Sequence, residues 1–119
     1  MATDTKVGPN YTYSASLDRI IDGDTIEATI DLGHSVFMKR TLRLLGYDSP
    51  EIRTRDDQEK VAGLEAKKFL ESILTKNLVV RTVKKDSFGR WLSEVWYQSA
   101  DEWVSVSESM IKHGYIKHT

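Results

Sequence analysis

Four short stretches carry acids and arginines of the kinds that attack on a phosphodiester requires. They are Asp22-Gly23-Asp24-Thr25, Arg43 within Leu42-Arg43-Leu44-Leu45, Asp48-Ser49-Pro50-Glu51, and Phe88-Gly89-Arg90. Asp24 and Asp48 sit at the ends of apolar runs and can converge on one hard, oxygen-seeking cation. Glu51 lies three residues beyond Asp48 and can act on a water. Arg43 and Arg90 can fork onto a phosphate and the negative charge that builds there. A cation that polarises the phosphoryl oxygen, two guanidinium groups and a carboxylate base are the parts of an in-line displacement by water.

Each stretch alone has an ordinary structural reading. Asp-Gly between apolar runs is a hairpin turn with solvated acids. A strand arginine can point outward by alternation. Ser before Pro with a following acid starts many helices, and an arginine beside glycine is a common loop feature. Only the combination carries chemistry, so the elements that bring these stretches together decide the matter.

Residues 1–10 read as a polar tail, and residues 11–119 as one domain. From Tyr11, apolar and polar residues alternate as in a strand that runs to Ile21. Ile26 to Leu32 alternates again, Gly33-His34-Ser35 marks a turn, and Val36 to Leu45 forms a third strand. The period then switches. Asp56 and Glu59 are spaced as a capping box, and Ala62, Ala66, Phe69, Leu70 and Ile73 form a helical core stripe ending near Lys76-Asn77. Leu78 to Val83 and Arg90 to Tyr97 are the fourth and fifth strands, with Trp103 returning briefly as strand. Ser105 with Glu108 repeats the capping spacing, and Gly114 stops a short second helix. The fold class is therefore α+β, mainly β. A five-stranded OB-fold Greek-key barrel fits, with a helix between strands 3 and 4 and a short C-terminal helix. A split α+β sandwich fits the same element list.

The net charge of -1 excludes a protein that coats nucleic acid by bulk charge, but not one that grips a phosphate with a few placed arginines. With no cysteine there is neither a disulfide framework nor thiolate chemistry. No long apolar run spans a membrane and no signal peptide is visible, which favours a cytoplasmic location in a bacterium or a phage-infected host. Secretion would follow only from a processed N-terminus. His34, His113 and His118 are too scattered for a metal cluster.

The chain resembles the staphylococcal nuclease (thermonuclease) family. The resemblance rests on Ile21-Asp22-Gly23-Asp24-Thr25, on Arg43-Leu44-Leu45-Gly46-Tyr47-Asp48-Ser49-Pro50-Glu51 and on Phe88-Gly89-Arg90-Trp91-Leu92, in the family's order. It runs from about Tyr11 to Lys117, and the long middle motif is the specific one. It implies that Asp24, Asp48 and the backbone carbonyl of Ser49 bind Ca2+. It implies that Glu51 orients or deprotonates the attacking water, and that Arg43 and Arg90 bind the phosphate and stabilise the transition state. The implied reaction hydrolyses DNA and RNA, single-stranded or frayed, to 3′-phosphate and 5′-hydroxyl ends.

Departures from the family pattern set further expectations. Ser49 replaces a threonine, which should change little because the ligand is main-chain oxygen. The segment from Asp24 to Arg43 is longer, so the second hairpin should project further. Ser87 and Phe88 replace a lysine and a tyrosine that hold a terminal phosphate, which weakens the case for tight binding of a nucleoside bisphosphate. The family's final C-terminal helix is expected to be missing or minimal, leaving a face that a partner subunit could cover; a monomer is the default. Phe88 is the better candidate for stacking on a base, ahead of Trp91, Trp96 and Trp103, which read as core or rim aromatics. Lys84 and Lys85 are candidate contacts to flanking phosphates. Two other readings stay open: a non-catalytic OB-fold module that binds single-stranded nucleic acid, and a protein-interaction module.

Overall fold

A computed structural model describes residues 11–116; the polar tail and residues 117–119, with Lys117 and His118, lie outside the described residues. The elements in order are β1 (Thr12–Asp22), β2 (Thr25–Gly33), β3 (Val36–Leu44), α1 (Asp57–Ile73), β4 (Asn77–Lys85), β5 (Trp91–Ser99), β6 (Glu102–Ser105) and α2 (Val106–Lys112).

The alternation in β2 does what its period requires. Ile26, Ala28 and Ile30 are fully buried, while Glu27, Thr29 and Asp31 face outward. β3 contributes Leu42 and Leu44 to the same core, and β4 contributes Leu78 and Val80. Each large aliphatic side chain so buried stabilises the fold by about 1.5–3 kcal/mol relative to exposure. The tight turn between β2 and β3 uses positive φ at His34 (55°) and Ser35 (64°), as the twist-matched hairpin turns demand.

The strand order is β3-β2-β1-β4-β5-β6, antiparallel throughout. One parallel pairing closes the barrel: Leu42, Arg43 and Leu44 of β3 lie beside Trp91, Leu92 and Ser93 of β5. That closure selects the five-stranded OB-type barrel over the open sandwich. β6 is an added sixth strand, pairing with the second half of β5 through Trp103 and its neighbours. The barrel closure also brings Arg43, near the end of β3, next to the segment that begins with Arg90.

α1 connects β3 to β4 and covers one end of the barrel. Asp56 caps it, its carboxylate accepting from the Gln58 and Glu59 backbone N–H groups. Gly63, Ala66 and Leu70 are its buried face, with Phe69 and Ile73 packed against the core. The helix ends at Ile73, a turn before the boundary expected near Lys76-Asn77, because Leu74 is already extended (ψ 134°). α2 is capped by Ser105, whose hydroxyl accepts from Glu108 N–H at 3.3 Å, and inserts Val106 and Met110 into the core. No helix among the described residues is long and apolar enough to cross a membrane.

Candidate active site

The turn between β1 and β2 consists of Gly23 and Asp24. Asp22 Oδ1 accepts from the Asp24 N–H at 3.1 Å, the local bond that makes Asp-Gly a turn signal. Leu44 N–H donates to the Asp24 carbonyl at 2.8 Å, and Thr25 stands opposite Arg43 in the β2–β3 register. The Asp24 side chain is thereby turned inward and is only 9% exposed as a residue. It accepts from Thr25 Oγ1 at 3.1 Å and from the Ser49 backbone N–H at 3.0 Å. Burial raises its pKa above the ordinary carboxylate range, and the adjacent Asp22 carboxyl adds to that rise. The Ser49 N–H and the Arg43 charge pull the other way and do not cancel it.

Arg43 is not solvated. Its guanidinium bridges the two acids, 3.3 Å from Asp24 Oδ2 and hydrogen-bonded to Asp48 Oδ1. The same group donates to the carbonyls of Leu44 and Tyr47, the latter at 3.1 Å. The pair is asymmetric: the Arg43 and Asp24 side chains are mostly covered, whereas the Asp48 side chain is 74% exposed. Asp48 is the solvent-facing carboxylate of the pair.

The segment after β3 must fold back over the turn to do this. Gly46, at φ 101°, supplies a left-handed residue that L side chains avoid. Tyr47 then buries its ring and donates its hydroxyl to the Gly23 carbonyl at 2.6 Å. Burial pushes the Tyr47 phenol far above its usual range, so it stays a donor. Two close approaches complete the packing. A Cβ on Gly23 would lie 2.7 Å from the Ser49 Cβ, and one on Gly63 of α1 would lie 2.8 Å from the Pro50 carbonyl oxygen. The Glu59 carboxylate accepts from the Glu51 backbone N–H at 3.1 Å. Here the capping box departs from its expected form: Asp56 does its half, but Glu59 turns toward Glu51. α1 thus fixes the backbone that carries Glu51.

Arg90 is held from the other side. Asp86 accepts from the Arg90 Nε at 2.7 Å and from the backbone N–H groups of Phe88 and Arg90, both at 2.9 Å. Desolvation opposes the Asp86 charge, yet the Arg90 and Phe88 donors hold its carboxyl below the usual range. The Phe88 ring lies 5.6 Å from the Arg90 guanidinium carbon and is 83% exposed.

Asp24, Arg43, Asp48, Ser49, Glu51 and Arg90 all line one cleft of about 740 Å³. A second cleft, with Phe88 on its wall, meets the first at Arg43, Asp48 and Arg90. Lys84 and Lys85 line neither; both are exposed at the end of β4. Asp22 of the first motif joins the main cleft, as do Thr41, Arg53 and Lys67, which no sequence motif singled out. Among the described residues no three His, Asp or Glu side chains form a metal cage by themselves. The donors present still suit one kind of ion. Asp24 and Asp48 share an arginine, Asp24 touches the Ser49 peptide, and Asp24 is an acid that burial disfavours as a bare anion. A hard divalent cation that keeps several waters fits such a half-built oxygen site.

A sequence model of the family described as staphylococcal nuclease homologue matches residues 41–119, about two thirds of the chain. That span holds Arg43, Asp48, Glu51 and Arg90; Asp24 precedes it and is joined to it by the contacts above. An uncharacterised protein of Methanocaldococcus jannaschii is 26% identical over 88% of the chain, which spans 58% of that protein's length. A Bacillus subtilis protein named endonuclease YhcR is 29% identical over 87% of the chain, which spans 9% of it. By its family match and by the fold that closes around these residues, the chain belongs to the staphylococcal nuclease homologue family.

Proposed function

We propose that the protein is a calcium-dependent phosphodiesterase that cuts DNA and RNA and leaves 3′-phosphate and 5′-hydroxyl ends. Family membership and the endonuclease among its relatives support a nuclease-type or nucleic-acid-binding role. One observation carries the catalytic reading: Arg43 and Arg90 face the same cleft as Asp24, Asp48 and Glu51. A module that only bound nucleic acid would gain nothing from burying Asp24 beside a phosphate path.

Asp24, Asp48 and the Ser49 carbonyl would hold the cation. When bound, Ca2+ supplies charge that polarises a phosphoryl oxygen. The protein's own groups do the rest. The Arg43 guanidinium, relieved of the acids it bridges, turns its donors onto the non-bridging oxygens. Arg90, pinned by Asp86, adds a second donor where negative charge builds in the transition state. Glu51 takes a proton from the attacking water as its oxygen bonds to phosphorus, and the 5′-oxygen departs with the electrons of the broken P–O bond and takes a proton from solvent water. The ring of Phe88 offers a base a stacking surface beside Arg90.

A gel assay with plasmid and single-stranded DNA, with calcium and with chelator, tests this reading. Cleavage with calcium only, yielding 3′-phosphate ends, is expected. Shifted but uncut DNA favours the binding module, and no interaction at all favours a protein-interaction role.

A further inference from the structure

We infer that Lys67, with Arg53, binds the phosphate next to the scissile one, so that the enzyme recognises a strand and not a single nucleotide. This rests on the nuclease reading. Lys67 lies on α1 and Arg53 on the segment after Glu51, and both line the main cleft. Lys67 is half-buried, and neither cation makes a hydrogen bond or ion pair among the described residues. That is unusual company: the same cleft is lined by Asp22, Asp24 and Glu51, and Arg43 and Arg90 both have carboxylate partners. A half-buried lysine in a cleft lined by acids, yet paired with none among the described residues, is available to a ligand's anionic group.

The position agrees with a strand path. The Phe88 cleft and the main cleft share Arg43, Asp48 and Arg90, and Lys67 and Arg53 line the main cleft but not the Phe88 cleft. With a nucleotide stacked on Phe88 and its phosphate at the shared arginines, the rest of the main cleft, with Lys67 and Arg53, is open to the next phosphate. Leu64, one turn before Lys67, is 47% exposed on the same wall. Leu64 and Lys67 also border a shallow groove over α1 that includes Val61, 57% exposed, and Lys68. Glu65 and Glu71 line that groove as well, so the cations open to a strand are those of the main cleft, Lys67 and Arg53. In a chain of net charge -1, attraction for a polyanion has to come from such placed cations.

The test is fluorescence anisotropy of a labelled single-stranded octanucleotide, without metal, over a salt series. The proteins are wild type, Lys67→Ala, Arg53→Ala, the double variant and Lys67→Arg. Each alanine variant should bind roughly three- to tenfold more weakly, and the double variant more weakly still. The slope of log K against log salt should fall by about 0.7 per lost contact, and Lys67→Arg should restore it. On a nitrophenyl ester of a mononucleotide, which has no flanking phosphate, all variants should match wild type. An unchanged salt slope, or equal losses on both substrates, overturns the inference. Octanucleotide binding that depends on Lys67, with no cleavage once calcium is added, would overturn the nuclease reading alone; calcium-dependent cleavage of the octanucleotide indifferent to Lys67 and Arg53 would overturn this inference alone.

Discussion

The Tyr47 hydroxyl donates to the Gly23 carbonyl across 2.6 Å, and this bond ties the β1–β2 turn to the segment that follows β3. Asp24 adjoins one end of it and Asp48 the other, so the two carboxylates are held in register by a group that touches neither. Tyr47→Phe should leave a buried carbonyl without its donor, at about 1–3 kcal/mol. The expected outcome is a melting temperature lower by several degrees and weaker calcium binding, measured by calorimetry with and without the ion. A variant that melts as wild type and binds calcium equally well would show that the tie is dispensable.

Asp24 gives a prediction whose sign follows from burial. Its carboxyl titrates above the ordinary range because desolvation disfavours the charge. Stability from the neutral form is fully present below the unfolded carboxyl's range and is lost as pH rises through the elevated folded value. Asparagine reproduces the neutral form. In chelator at neutral pH, Asp24→Asn should therefore melt above wild type, and the gap should close as the pH is lowered. Added calcium should raise the wild-type melting temperature by mass action and leave the variant unmoved. Melting curves over a pH series check both; a variant less stable than wild type in chelator would contradict the account.

Much of this site was legible in the sequence. Asp24, Arg43, Asp48, Glu51 and Arg90 stand in short motifs that the structure brings to one cleft, and the alternation of Ile26, Ala28 and Ile30 declared the strand beside it. What local pattern could not carry was the long-range geometry. Nothing in the spacing says that Arg43 bridges both acids, or that Glu59 leaves its own cap to hold the Glu51 backbone. Gly23 and Gly63 matter because of atoms 26 and 13 residues away in sequence, those of Ser49 and Pro50. Lys67 reads as one lysine of a solvated helix face until the cleft beside it is seen. Conversely, Lys84 and Lys85 look like phosphate contacts by composition, but the strand that carries them leaves both outside the clefts.

Gly63 offers a test of how Glu51 is placed. Its missing side chain lets α1 lie against the Pro50–Glu51 backbone, where a Cβ would come within 2.9 Å of the Glu51 carbonyl carbon. Gly63→Ala gains helix propensity of about 1 kcal/mol yet must displace that backbone. Turnover should fall by about tenfold or more while helix content stays at the wild-type level by circular dichroism. Unchanged turnover would mean that the segment yields without moving Glu51.

Asp86 positions Arg90 by accepting from its side chain and its backbone. Asp86→Ala removes the acceptor of the guanidinium and of the Phe88 and Arg90 N–H groups together. The loop should loosen, lowering kcat by about tenfold and raising KM for single-stranded DNA. Phe88→Ala, by contrast, should raise KM with little change in kcat, since base stacking of about 1–3 kcal/mol acts on ground and transition states alike. Steady-state kinetics on one oligonucleotide separate the two patterns.

The most direct test of the central claim, that these acids and arginines act on one diester, is the calcium-dependent cleavage rate of Arg43→Ala, Arg43→Lys, Glu51→Ala and the Arg43→Ala, Glu51→Ala double variant. Arg43→Lys keeps the charge and loses the fork, so it separates chemistry from packing. Losses of about 10²–10³-fold or more are expected in each single variant, with the double variant little worse than the slower single. Near wild-type rates in Arg43→Lys or Glu51→Ala, in proteins whose melting temperatures are unchanged, would contradict that claim.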